Sequence, residues 1–164
     1  MDLIQSSIWT KLQVDCCSGD QNTSPYVTCT NQRVTQIVWR GLGLNGTINE
    51  TALSTGLNSL NLGNNGINGT IPTIVPSGLQ YFDLRLNRID GNLPWNLPNA
   101  LQRLIMSHNQ LKGPIPSTLP SGLLDIGLDD NQMTGDIPTL PSTLVYVYLN
   151  DNHFTGKCGF IPAY

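Results

Sequence analysis

The sequence predicts a solenoid that winds around a parallel β-sheet, and two observations lead to this fold class. A phrase of apolar residues recurs about every 22 residues, and each copy contains alternating apolar positions with the period of a β-strand. One copy consists of Leu79, Phe82, Leu84, Asn87, Ile89, Gly91, Leu93 and Pro94. Other copies start at Val34, Leu57, Leu101, Leu123 and Leu144.

The repeats divide the chain into three parts. Residues 1–33 form a cysteine-containing N-terminal cap, residues 34–158 hold six repeats, and residues 159–164 form a short end without a full cap. The repeats start near residues 34, 57, 79, 101, 123 and 144. In the cap, apolar residues recur at helical spacing and predict an amphipathic helix that covers the first turn: Leu3, Ile4, Ile8, Trp9 and Leu12.

Within a repeat, the apolar residues at the fourth and sixth positions point into the core, and the residues between them face outward. Stacked copies then pair their strands in parallel at about 4.8 Å. An asparagine follows the strand in five of the six copies, and its amide can bond backbone groups of neighbouring turns. This predicts a structural asparagine ladder of Asn65, Asn87, Asn109, Asn131 and Asn152, with Leu42 at the same position in the first copy.

The second half of the repeat reads G-x-I-P and is followed by a proline before the next strand: Pro76, Pro98, Pro120 and Pro141. Proline has no N–H and a fixed φ, which disfavours a long helix. We expect short β, 3₁₀ or polyproline segments on this convex side.

Composition and charge exclude several classes of function. The net charge of −3 gives no basis for binding nucleic acid, and no apolar run approaches the roughly 18 residues of a membrane span. We assign no cofactor. The cysteines are Cys16, Cys17, Cys29 and Cys158, and three of them crowd the cap. This crowding favours a disulfide-stapled, secreted domain over a set of reduced thiols, and the spacing is unlike that of a zinc finger.

The repeat pattern resembles plant-type leucine-rich repeats, which occur in receptor kinase ectodomains, receptor-like proteins and polygalacturonase inhibitors. The segments Asp15-Cys16-Cys17, Val27-Thr28-Cys29 and Arg33-Val34-Thr35 are similar to the N-terminal cap of that family. The resemblance implies a leucine-rich-repeat solenoid, a right-handed superhelix of β/α type with its parallel sheet on the concave face. It also implies a disulfide between Cys17 and Cys29, with Cys16 as the alternative partner.

The resemblance further implies an extracellular, non-enzymatic module that recognises a protein or glycan ligand. The alternative function is structural: a subunit of an extracellular filament or surface layer that stacks head to tail. Basic residues lie early in the repeats and acidic residues late, so unlike ends would meet in such an assembly. Both hypotheses place the protein outside the cell or at its surface.

The outward strand positions form columns across the repeats, and aromatic and charged residues are mixed there as on binding surfaces. One column runs Gln36, Ser59, Tyr81, Arg103, Asp125, Tyr146, and the next runs Val38, Asn61, Asp83, Ile105, Gly127, Tyr148. The candidate ligand-binding residues are Tyr81, Asp83, Arg85, Arg103, His108, Asp125, Asp129, Tyr146 and Tyr148.

His108, Asp130 and Asp151 share a further column, which could hold a cation or orient the imidazole. A solvated polar column explains them as well, so we assign no metal site. An open sheet excludes little water, and we predict no catalytic residues.

Four sequons mark possible N-glycosylation at Asn22, Asn45, Asn49 and Asn68. With so many Asn, Ser and Thr residues in the chain, several such motifs arise by chance.

Overall fold

The computed structural model describes residues 26–156 as a stack of about six turns made of short strands. The strands are β1 (Val27–Thr30), β2 (Arg33–Val38), β3 (Asn45–Gly46), β4 (Ser59–Asn61), β5 (Gly66–Thr70), β6 (Tyr81–Asp83), β7 (Arg88–Gly91), β8 (Arg103–Ile105), β9 (Gln110–Leu111), β10 (Asp125–Gly127), β11 (Thr134–Asp136), β12 (Tyr146–Tyr148) and β13 (His153–Thr155).

The main sheet has the strand order β1-β2-β4-β6-β8-β10-β12. From β2 onward every pair is parallel, and residues at equivalent positions of successive repeats are paired, as in Tyr81 with Arg103 and Arg103 with Asp125. The predicted parallel sheet is therefore confirmed. Strand β1 is different because it pairs with β2 in the antiparallel direction, which the repeat pattern gave no means to predict.

The core lies between the main sheet and the segments behind it. Side chains at the three leucine positions of the central repeats are fully buried, among them Leu57, Leu60 and Leu62 in one turn and Leu101 and Leu104 in another. Each fully buried side chain of this kind contributes roughly 1.5–3 kcal/mol relative to an exposed one. Since every turn repeats the same apolar set, the core is continuous from Val27 to Leu144.

The asparagine ladder bonds neighbouring turns as the sequence predicts. The Nδ2 of Asn109 donates to the carbonyl oxygens of Leu84 and Met106, each at 3.0 Å, and its Oδ1 accepts from the N–H of Ile89 at 3.0 Å. The same three kinds of bond recur at the other rungs: Asn65, Asn87, Asn131 and Asn152. One amide thus satisfies backbone groups from two turns, which no apolar side chain could do.

Behind the core, the second half of each repeat forms a second row of short strands. Strands β3, β5, β7 and β9 make one small sheet, and β11 pairs with β13. A 3₁₀ helix covers Glu50–Ala52, with Asn49 as its N-cap. Each proline singled out in the sequence starts a turn, because its carbonyl accepts from the N–H three residues later, as from Pro98 to Leu101 at 3.0 Å.

The expectation of short β and 3₁₀ segments is confirmed, but the β/α label is wrong for the described repeats. No α-helix occurs between residues 26 and 156. The physical reason is that the prolines of each repeat lack a backbone donor, and that a glycine with positive φ lies within or close to each strand of the second row. At Gly69, φ is +77° and an added Cβ would lie 2.7 Å from Cγ2 of Thr47, so a side chain does not fit.

Several predictions lie outside the described residues: the cap helix, Asn22, Cys16, Cys17, Cys158 and the end at 159–164. Cys29 is disulfide-bonded, and because the other cysteines fall outside residues 26–156, its pairing with Cys17 or Cys16 stays a prediction. Among the residues that the structure describes, no helix has the length and apolar character needed to cross a membrane.

Candidate ligand-binding face

The outward side chains of the main sheet form one surface, which we call the sheet face. It consists of the paired positions that start at Gln36 and at Val38, together with the residues that follow each strand. The pairing of Ser59 with Tyr81 and of Asn61 with Asp83 continues across the parallel strands, so both predicted columns run along the stack. Paired residues on neighbouring strands lie about 4.8 Å apart, close enough for one ligand group to contact two repeats.

Tyr81, Asp83 and Arg85 form a compact polar cluster at the centre of the sheet face. The Nε of Arg85 donates to both oxygens of Asp83 at 3.0 and 2.9 Å, and its Nη2 donates to Oδ2 at 2.7 Å. The hydroxyl of Tyr81 donates to the same Oδ2 at 3.0 Å, and the backbone N–H of Arg85 donates to Oδ1 at 3.1 Å. The carboxylate of Asp83 is therefore held by donors on both oxygens.

The cluster shifts the protonation equilibria of its members. Burial, and then the charge of the Asp83 carboxylate, raise the pKa of the Tyr81 hydroxyl. Hydrogen bonding to Asp83 raises the pKa of the Arg85 guanidinium above its ordinary value. Each shift favours the protonated donor, so Tyr81 and Arg85 both keep the proton that they share with Asp83.

The structure corrects the prediction for Asp83. We expected its carboxylate to face the ligand, but Asp83 is fully buried beneath Tyr81 and Arg85. The physical reason is that a lone carboxylate on the sheet face attracts the two nearest donors, which then cover it. Asp83 therefore positions Tyr81 and Arg85, and those two side chains carry the accessible surface.

Arg103 and Asp125 lie beside this cluster on the next two strands. Arg103 is exposed and forms no ion pair with any other residue in the described part of the chain. Asp125 has a buried Oδ1 with no hydrogen-bond partner among residues 26–156. Burial raises the pKa of the Asp125 carboxyl, and the charges of Arg103 and Arg85 oppose that shift. Neither residue forms an ion pair with another residue of the described chain.

Two exposed aromatic rings lie at the last strand of the sheet in the described chain. Tyr146 and Tyr148 on β12 are 54% and 50% exposed, and the residue between them, Val147, packs against the core. Tyrosine is enriched in binding surfaces because it offers a large rigid contact and a hydroxyl. The predicted placement of both rings on the sheet face is what the strand alternation produces.

His108 and Asp129 follow strands β8 and β10. His108 lies in a turn that the repeats share, with φ between +52° and +57° at Asn64, Leu86, His108, Asp130 and Asp151. In this conformation the His108 ring lies against the following turn of the solenoid. Its Nε2 lies 3.9 Å from Oδ2 of Asp129, and its Nδ1 lies 2.8 Å from Oδ2 of Asp130. Asp151, which shares the sequence column, is instead bonded by Asn150.

Sequence reasoning missed two residues. Ser107, which is buried, donates from Oγ to Oδ1 of Asp129, and only the pairing of neighbouring turns shows this. Trp95 is 83% exposed on the opposite, convex side, where residues 95–99 and 118–120 line a groove of about 380 Å³. A tryptophan between two prolines of the G-x-I-P half, at an outward position, was the signal available for it.

The comparisons with known proteins agree with this architecture. The family model described as Leucine Rich Repeat matches residues 56–77 and 100–121. No curated protein compared with the chain matches it in sequence.

Solved structures share the fold over most of the chain. The structure of the BIR3–SERK2 complex from Arabidopsis thaliana contains a chain that is 27% identical and superposes with a TM-score of 0.72 over 93% of this chain and 88% of that one. Pollen Receptor Kinase 3 is 28% identical, with a TM-score of 0.70 over 84% of this chain and 72% of that one.

A longer relative in fold is the ectodomain of the receptor kinase HAESA, also from Arabidopsis, in complex with an IDA peptide hormone ligand. It is 29% identical, with a TM-score of 0.62 over 70% of this chain and 21% of that one. The family-model match and these structural neighbours support the resemblance of this chain to plant-type leucine-rich-repeat proteins.

Proposed function

We propose that this chain, a leucine-rich-repeat protein of the plant type, is a binding module that holds a protein or peptide ligand on its sheet face. Two of the fold neighbours support a binding role, since one was solved with a peptide hormone and another in a complex of two proteins. The proposal is non-enzymatic. Fold alone does not define a ligand, so the argument rests on the residues of the face.

One observation carries the proposal: a prearranged polar cluster adjoins unsatisfied groups. Asp83 fixes Tyr81 and Arg85 before any ligand arrives, so less side-chain entropy is lost on binding. Next to them, Arg103 has no ionic partner within residues 26–156, and Asp125 has an oxygen without a donor. A ligand of alternating charge, laid across the strands, would pair with Arg103 and with the partly exposed carboxylate of Asp125.

The two tyrosines, both on β12, extend the same surface by one strand beyond Asp125 on β10. Tyr146 is paired in register with Asp125, and Tyr148 with Gly127. Aromatic anchors next to fixed polar groups are typical of the residues that contribute most to binding. We favour a protein or peptide over a glycan, because Arg103 and Asp125 present opposite charges rather than a neutral hydrogen-bonding surface.

The experiment is a selection from a displayed random peptide library. The native protein and the double variant Arg103→Ala/Tyr146→Ala are immobilised separately. The matched control is Trp95→Ala, which removes a more exposed aromatic ring from the convex side. We expect peptides selected on the native protein to bind the control equally and to lose at least about tenfold in affinity on the double variant, or roughly 1.4 kcal/mol. Equal binding to both variants would place the ligand surface elsewhere.

The extracellular location is part of the proposal. Two sequon asparagines, Asn45 and Asn68, are exposed at equivalent repeat positions in the second row, and Asn49 is exposed where it caps the 3₁₀ helix. All three lie away from the sheet face, so glycans there would leave it accessible. Expression through a secretory pathway, followed by enzymatic removal of N-glycans and mass spectrometry, tests whether these asparagines are glycosylated. An unmodified secreted protein would argue against glycosylation.

A second candidate function is head-to-tail self-association. The observation that favours it is the exposed pair Tyr146 and Tyr148 on β12, which is the last strand of the main sheet within residues 26–156. An edge strand with exposed rings can pair with another chain. Sedimentation over a range of protein concentration, at low and high salt, separates the two functions. A protein that stays monomeric under all these conditions excludes assembly. An increase in particle size with concentration that Tyr146→Ser abolishes would favour self-association over ligand binding.

A further inference from the structure

His108, Asp129 and Asp130 converge where the turns after β8 and β10 meet. The backbone N–H of His108 donates to the carbonyl oxygen of Asp129 at 2.9 Å, which fixes the two turns against each other. One ligand-type atom from each side chain lies within 4.8 Å of the others. The convergence comes from two neighbouring repeats and from the shared left-handed turn, which brings His108 toward the next turn.

The imidazole faces a carboxylate on each side. In the neutral imidazole, an N–H at Nδ1 would donate to Oδ2 of Asp130, 2.8 Å away, and would leave Nε2 as the acceptor. Nε2 lies 3.9 Å from Oδ2 of Asp129. Two acceptors that face each other at this separation repel, and a cation between them converts the repulsion into attraction.

The separation suits a metal ion. Zn–N and Zn–O bonds of about 2.0–2.2 Å at a tetrahedral angle place the two ligand atoms about 3.4 Å apart, which needs a closure of about half an ångström. The supporting bonds are present as well. Asp130 holds Nδ1, as carboxylates do behind metal-bound histidines, and Ser107 orients the Asp129 carboxylate through Oδ1.

The charge of this region also favours a cation. Residues 113–156 contain five aspartates and neither lysine nor arginine. Within the described chain, the only ionic contacts of Asp129 and Asp130 are those with His108. No lysine or arginine of the described residues therefore neutralises their negative charge.

From these contacts we propose that Nε2 of His108 and Oδ2 of Asp129 bind a divalent transition-metal ion of the Zn²⁺ class, with Asp130 holding the imidazole and water completing the coordination. An imidazole beside a carboxylate favours Zn²⁺, Ni²⁺ or Cu²⁺, whereas Mg²⁺ and Ca²⁺ prefer oxygen ligands alone. The site is separate from the ligand-binding cluster at Tyr81, and it does not depend on the proposed function.

The test is a calorimetric titration of the folded full chain with ZnCl₂, after free thiols have been blocked by alkylation so that cysteines cannot bind the metal. We expect saturable binding of one ion per chain. His108→Asn, which tolerates the left-handed turn, and Asp129→Asn should abolish it, and Asp130→Asn should weaken it about tenfold. The matched control is His153→Gln, which removes the other, exposed histidine.

Three results would overturn the proposal. The first is the absence of saturable Zn²⁺ binding to the native chain. The second is unchanged binding to His108→Asn, and the third is displacement of Zn²⁺ by equal concentrations of Ca²⁺ or Mg²⁺, which would show attraction to the acidic surface alone. Circular dichroism and melting of each variant establish that it is folded. Because the two ligand variants alter different turns, a folding defect in one leaves the other as a valid test.

Discussion

Arg85 covers Asp83, two residues earlier in the chain, and binds its carboxylate through Nε, Nη2 and its own backbone N–H. The carboxylate is fully buried, whereas the arginine side chain remains 37% exposed. The pair therefore combines a hidden anion with an accessible cation. Because the two residues belong to the same turn, the pair forms together with the local backbone and needs no distant partner.

Arg85→Ala should destabilise the fold because, among the described residues, it leaves the buried Asp83 with Tyr81 as its only side-chain donor. The expected loss in free energy of unfolding is about 1–3 kcal/mol, the usual range for a buried polar group that loses its partner. Urea denaturation at neutral pH measures it. Arg103→Ala is the control, since Arg103 is exposed and has no ionic partner in the described chain, and should change stability by less than about 0.5 kcal/mol. Similar losses for both would mean that the pair is not structural.

The hydroxyl of Tyr81 should ionise at a higher pH than an ordinary tyrosine, because burial and Asp83 both raise its pKa above 10.0. Since the folded state holds this proton more tightly than the unfolded state, its contribution to stability is complete below the unfolded pKa and is lost as pH rises through the folded one. Ultraviolet titration of the native protein, with Tyr81→Phe subtracted, isolates the transition. Asp83→Asn should lower the midpoint; an unchanged midpoint would exclude the Asp83 charge as a cause.

The unfolding free energy of the Asp125→Asn variant, relative to that of the native protein, should increase as pH rises. The folded-state pKa of Asp125 lies above its ordinary value of 3.8, so the folded chain holds that proton more tightly. The corresponding stability is present below the unfolded pKa and is lost as pH rises through the folded pKa. Asparagine cannot ionise, so the difference in unfolding free energy between variant and native protein should grow over this interval and then level. Denaturation at a series of pH values from acid to neutral measures it, and a flat difference would contradict the assignment.

Asn109→Ala should cost about 1–3 kcal/mol of unfolding free energy, because the N–H of Ile89 and the carbonyls of Leu84 and Met106 would lose their partner. Thermal unfolding compared with His153→Gln, an exposed change, measures the effect. The same substitution at Asn131, which is buried, should cost at least as much. If Asn109→Ala melted like the exposed control, water would be replacing the ladder bonds.

The repeat spacing predicted the fold well because the period of the apolar residues also determines how the strands pair in the sheet. Once Leu104 and Ile126 point inward, the outward columns follow from strand alternation, and the register of Arg103 with Asp125 follows from equal repeat lengths. The ladder at Asn109 was predictable for the same reason: its neighbours in space are fixed by the period.

The contacts within the sheet face could not be read from the sequence. The burial of Asp83 depends on which way Arg85 and Tyr81 turn, and strand alternation leaves that choice open. The pairing of His108 with Asp129 and Asp130 depends on a left-handed turn that non-glycine residues seldom adopt. The sequence pattern specifies the position of each Cα on the sheet but not the rotamer of its side chain.

The asparagine ladder has a consequence for how such a molecule can change length. Oδ1 of Asn109 binds the N–H of Ile89, and Oδ1 of Asn131 binds the equivalent N–H of Leu111. Each turn therefore offers the following turn the same hydrogen-bond donors and acceptors that the preceding turn offers to it. Excision of residues 101–122 would join Ala100 to Leu123 and restore equivalent bonds across the new junction. The width of the surface offered to a partner can thus be shortened or extended by whole strands, without redesign of the contacts between turns.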